Sequence, residues 1–100
     1  MKSKLVRDKI PDIIQNKGKV PITHLASDNE YLEKLKDKLV EEVDEFLESS
    51  DKEELADILE VIHAICYYFN IDNQDLEFLR KKKSEQRGGF SNRIILDEVK

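Results

Sequence analysis

Four carboxylates stand at a spacing that a helix would turn into adjacency: Glu42 and Glu45 are three residues apart, and so are Glu54 and Asp57. Residues three apart on a helix are neighbours. Each pair can therefore present two carboxylates from one face. With the two helices packed against each other, all four would converge. Four partly buried carboxylates repel one another strongly and need a counterion. Few bases stand near them in the chain: Lys34, Lys36, Lys38 and Lys52. On a helix, Lys38 reaches Glu42 or Glu45. The alternative partner is a divalent cation. An all-oxygen donor set suits hard ions such as Mg²⁺ or Mn²⁺ rather than zinc.

The surrounding pattern shows that these acids are not simply a solvated face. At about 100° per residue, Glu42 lies at the edge of a continuous stripe of Leu35, Phe46, Leu39, Leu32, Val43, Leu47 and Val40. Glu45 lies about 60° further out, and Glu41, Asp44 and Glu48 point outward. In the following segment, Glu54 falls between Val61 and Ile65 inside an apolar arc, with Asp57 at its edge. A carboxylate inside an apolar stripe is a local contradiction that a partner must resolve.

The elements that would carry these residues are all helical. A first short helix is expected over 8–17, with Pro11 in its first turn and Gly18 as its stop. Arg7-Asp8-Lys9 reads as its cap. A loop over 19–26 follows, and its Val20, Ile22 and Leu25 could tuck under the domain. The second helix opens at a capping box, Ser27-x-x-Glu30, and runs to 47 or 48. The third opens at another, Ser50-x-x-Glu53, and runs to about 69. So short a link between them predicts an antiparallel hairpin, with the two acidic pairs facing each other near its turn. A fourth helix is expected over 73–87, capped near Asp72 and ended by Gly88-Gly89. The tail, with Ile94-Ile95-Leu96, is apolar enough to dock on the body. The expected fold is all-α: a small helical bundle around a central antiparallel hairpin, in one domain over 1–100. The apolar arc of the third helix spans about 220°, wide for a helix packed on one side only, so a core completed by oligomerisation is expected.

Composition narrows the function classes. Of the 100 residues, 39% are hydrophobic and 39% charged, which is too apolar for disorder and too charged for a membrane protein. No apolar run reaches the bilayer-spanning length of about 20 residues. The basic start, Lys2-Ser3-Lys4, is followed by no apolar stretch, which argues against a signal peptide and for a cytoplasmic protein. A single cysteine, Cys66, allows no internal disulfide and no thiolate zinc cluster, and it reads as core. His24 and His63 form no zinc-binding pair, and three glycines leave no phosphate-binding glycine loop. The net charge of −5 divides unevenly: residues 28–60 carry −10, residues 1–27 carry +4 and residues 61–100 carry +1. That is not the broad basic face of a nucleic-acid binder. It fits a cation site beside an anion site. Tyr31, Tyr67 and Tyr68 fit core or interface positions better than a base-stacking site. Asp72-Asn73-Gln74-Asp75 fits a helix cap better than a calcium loop, since it lacks the glycine and terminal glutamate.

The stretch Leu39-Val40-Glu41-Glu42-Val43-Asp44-Glu45-Phe46, followed by Glu54-Leu55-Ala56-Asp57, resembles the EExxE and ExxD signature of the MazG-like all-α NTP pyrophosphohydrolases. Lys4-Leu5-Val6-Arg7-Asp8-Lys9-Ile10-Pro11 is similar to the opening of small single-domain, phosphoribosyl-ATP pyrophosphohydrolase-like members, and a substrate role for Arg7-Asp8-Lys9 rests on that resemblance alone. Lys83, Arg87, Gly88, Gly89 and Phe90 resemble their basic C-terminal motif. The resemblance implies Mg²⁺, with Mn²⁺ as a substitute, held by Glu42, Glu45, Glu54 and Asp57. It implies Glu41 as a water-orienting or supporting carboxylate, and Lys83 and Arg87 on substrate phosphates. The implied reaction splits a nucleoside triphosphate between the α and β phosphates, giving the monophosphate and pyrophosphate, in a homodimer or homotetramer. One departure is the gap of eight residues between Glu45 and Glu54, shorter than the signature usually has, which leaves less chain to wrap a base. Two rival readings are phosphoribosyl-ATP as substrate, in histidine biosynthesis, and a non-enzymatic helical module whose acidic face binds a basic partner.

Overall fold

Capping chemistry sets where the helices begin and end. The computed structural model of the chain describes residues 3–100. It contains four helices: α1 (Ile10–Asn16), α2 (Asp28–Ser49), α3 (Lys52–Tyr68) and α4 (Asn73–Arg87), with no strand among the described residues. The all-α expectation holds. Gly18, at φ +81°, ends α1 in a Schellman arrangement, where Lys19 N–H reaches the Ile14 carbonyl at 3.3 Å. α3 ends the same way at Asn70, with Ile71 N–H donating to Cys66 O at 2.8 Å. Asp72 caps α4 by accepting from Gln74 N–H at 2.7 Å, as its sequence suggested.

Two caps differ from the expected ones. Ser27 accepts from Glu30 N–H at 3.3 Å, but the reciprocal half of the box is missing because Glu30 turns to His24 Nε2 at 2.9 Å. Between α2 and α3, Ser50 is the left-handed terminator of α2 and Asp51 caps α3, accepting from Glu53 N–H at 3.1 Å. Ser50 cannot serve both helices, and the carboxylate one residue later reaches the free amide.

Helix α2 packs along α3, and this is the one extensive helix–helix contact among the described residues. Leu35, Val61 and Cys66 are buried there, and one acid, Glu42, is buried with them at 6% exposure. At the end distant from the turn, Tyr31 meets Tyr68 edge-on at 5.9 Å, and the Tyr68 hydroxyl donates to the Asp28 carbonyl at 3.4 Å. The radius of gyration is 17.9 Å, against about 13 Å for a compact chain of this length. The excess comes from segments that do not fold back. Val20, Ile22 and Leu25 do not tuck under the domain; Leu25 is 98% exposed. The tail residues Ile94, Ile95 and Leu96 are exposed rather than docked. Val40 and Leu47 of α2 and Leu55 and Leu59 of α3 leave one side of the helix pair apolar and open.

Candidate functional site

The helical period brings the two acidic pairs together as expected. Two groups of carboxylates each place one oxygen per residue within 4.8 Å of one another: Glu41, Glu42 and Glu45, and Glu42, Glu54 and Asp57. Glu42 belongs to both. The two groups form one continuous cluster along the α2–α3 seam, with Glu45 exposed and Glu54 and Asp57 partly buried.

Glu42 is the electrostatic centre. Its Oε1 lies 3.3 Å from Lys38 Nζ, while its Oε2 is buried with no hydrogen-bond partner. A buried, unsatisfied carboxylate oxygen is costly and calls for an explanation such as an ion. Burial raises the Glu42 pKa, opposed by the Lys38 hydrogen bond and reinforced by repulsion from Glu45 and Asp57. Glu54 is pushed up to about 7, first by desolvation, then by a hydrogen bond with Glu45 and by repulsion from Glu45, Asp57 and Glu42. Near neutral pH, then, this cluster tends to retain a proton when it holds no cation. Hard oxygen donors, two overlapping groups and an orphaned oxygen at their junction all fit divalent ions of the magnesium class. Neither histidine nor cysteine enters either group.

Glu41 departs from its helical-wheel position. It is only partly exposed, paired with Lys38 at 3.2 Å and with Lys4 at 3.4 Å. Partial desolvation would raise its pKa, but the two lysines outweigh it and hold the carboxyl below its ordinary value. Lys38 is raised in turn: burial works against its charge, and Glu41 and Glu42 together overcome that.

Sequence reasoning set Arg7 in the cap of α1, with a substrate role resting on resemblance alone. The expected cap of α1 is not a side-chain cap at all, since Lys9 occupies that position without a capping hydrogen bond. Arg7 instead reaches across the fold to Asp57, donating at 2.6 Å, with its other terminal nitrogen 3.7 Å from Glu60. Lys34 holds the segment down by donating to the Ser3 carbonyl at 3.1 Å. The uneven charge division was the available signal, but nothing local joins residues 50 apart. Lys83 and Arg87 are exposed on α4 and make no ion pair among the described residues. The neighbouring Arg80 pairs with Glu77 at 2.6 Å. His63 is exposed, and Cys66 is core.

Removing Lys38 tests its place as the internal counterion. Lys38→Met should destabilise the metal-free protein by about 1–3 kcal/mol, since it leaves the Glu42 carboxylate without its hydrogen-bond partner. Urea unfolding in EDTA measures this, and the deficit should shrink in Mg²⁺. An unchanged midpoint in EDTA would show that Lys38 does not balance Glu42.

No protein-family model matches the chain, and no solved structure matches it. An uncharacterized protein of Mycolicibacterium smegmatis is 43% identical over 54 residues. The match covers 54% of this chain and spans 54% of that relative, about half its length. It describes no activity. Among the described residues, no helix is long and apolar enough to cross a membrane.

Proposed function

We propose that this chain is a Mg²⁺-dependent nucleotide pyrophosphohydrolase, splitting a (d)NTP or a related nucleotide between the α and β phosphates. The observation that carries this reading is the orphaned Glu42 Oε2, buried where two carboxylate groups meet. The resemblance to MazG-like enzymes supplies the reaction; the cluster supplies a place for its ion. In this reading α2 and α3 are the central antiparallel hairpin. The open apolar side with Val40, Leu47, Leu55 and Leu59 is covered in a homodimer or homotetramer, and the enzyme is cytoplasmic.

Glu42, Glu45, Glu54 and Asp57 would hold the metal. A divalent ion bound there neutralises phosphate charge and lowers the pKa of a coordinated water. Glu54 must give up its proton to become a ligand, so loading releases protons. Glu41, kept ionised by Lys38 and Lys4, is able to accept a hydrogen bond from a water at the cluster edge. Lys83 and Arg87, one helical turn apart, would hold phosphate oxygens.

The test is pyrophosphate release in Mg²⁺ across NTPs, dNTPs, modified nucleotides and phosphoribosyl-ATP. One strongly preferred substrate, with monophosphate as co-product and no turnover in EDTA, is the expected result. Preference for phosphoribosyl-ATP would move the protein to histidine biosynthesis. Silence across the panel in folded protein would overturn the enzymatic reading in favour of an acidic interaction module.

A further inference from the structure

The N-terminal segment lays two cations on the acid cluster, and they meet it differently. Lys4 joins Lys38 on Glu41 at one end. Arg7 closes the other end from the α3 side, on Asp57. The pair is not sealed in the core: the Arg7 side chain is 54% exposed and that of Asp57 37%. One terminal nitrogen is committed to Asp57 and the other is loosely placed, 3.7 Å from Glu60. A guanidinium carries five N–H donors in a rigid fork, so one carboxylate contact leaves most of them available. Surface ion pairs of this kind add little to stability. What the contact does is fix a planar, permanently charged donor at the rim of the carboxylates. Lys83 and Arg87 have no such tie to the cluster.

We propose that Arg7 is a substrate-binding residue that grips the pyrophosphate portion of a nucleotide seated on the carboxylate cluster. Asp57 and Glu60 aim its guanidinium, and phosphate oxygens take up the remaining N–H groups. Among the described residues, Arg7 is the one arginine paired with a member of the cluster. This rests on the pyrophosphohydrolase reading, because it requires a metal-held polyphosphate next to Asp57.

The experiment uses the full chain in Mg²⁺, with inorganic pyrophosphate as the probe and titration calorimetry as the readout. Thermal unfolding with and without Mg²⁺ follows in parallel. Arg7→Ala should bind pyrophosphate about 10- to 100-fold more weakly, the loss expected for a charge-assisted bidentate contact. It should keep a magnesium-induced rise in melting temperature at least as large as wild type, since Asp57 loses a competing cation. Arg7→Lys should recover part of the affinity, and Arg80→Ala should bind within twofold of wild type. Equal pyrophosphate affinity in Arg7→Ala would overturn the assignment and leave the enzymatic reading standing. Loss of the magnesium shift in Arg7→Ala would also overturn it, by showing that Arg7 shapes the cluster instead. A wild-type protein that binds neither Mg²⁺ nor pyrophosphate would overturn both readings.

Discussion

Glu54→Gln will lower turnover at least about 100-fold while raising the melting temperature of the metal-free protein. The two halves have separate causes. Loss of a group that merely supports a metal ligand costs about 10- to 100-fold, so loss of a ligand should cost no less. The stability gain comes from the crowding that makes the site bind cations. Glu54 faces Glu45 and Glu42 of α2 and Asp57 of α3, and together with desolvation they push its pKa up to about 7. Above that pH a neutral amide of the same shape removes repulsion without emptying any space. Calorimetry in EDTA at pH 8 and pyrophosphate release in Mg²⁺ check the two halves. Glu53→Gln, one residue away on an exposed position, should leave turnover unchanged. Near-normal turnover in Glu54→Gln would remove Glu54 from the site. A lower melting temperature in EDTA would show that its carboxylate is well satisfied rather than crowded.

Magnesium will flatten the pH dependence of stability. The folded chain holds the Glu54 proton up to about pH 7, whereas the unfolded chain releases it near the ordinary value of 4.5. Between those values the folded state binds more protons, so stability falls as pH rises; below 4.5 the group contributes no difference, and above 7 the loss is complete. Glu42, also raised, acts in the same direction. Glu41 is lowered, so its contribution is lost only as pH falls below its ordinary value, outside this window. Lys38, which faces the cluster from α2, is raised above its ordinary value and so keeps its charge throughout the window. Metal-free protein should therefore melt at a lower temperature at pH 8 than at pH 5. At a Mg²⁺ concentration of about 100 times Kd the native state gains about 2.7 kcal/mol, on the order of 10 °C for a domain of this size. The gain should be largest at pH 8, where no proton must be displaced. Thermal scans from pH 5 to 8, in EDTA and in Mg²⁺, give both curves. Parallel curves would mean that magnesium does not bind where Glu54 titrates.

Local rules determined much of this protein. The four helices follow from apolar period, from Ser27 and Asp72 as caps and from Gly18 as a stop, because each signal acts within a turn of the chain. The convergence of Glu42, Glu45, Glu54 and Asp57 was legible for the same reason: a three-residue step and a short link leave few other places for them. The Ser50–Asp51 junction was not, since both residues can cap and only the competition between two helix ends chooses. Tertiary structure changed the surroundings of Glu41, which the resemblance had already named. A helical wheel places it toward water, but the N-terminal segment crosses above it and delivers Lys4. Tertiary structure likewise brought Arg7 to Asp57, a contact 50 residues apart that no local pattern encodes. It also left Leu25, Ile94 and Leu96 in the open, because an apolar residue states a preference for burial and only a neighbouring surface can satisfy it.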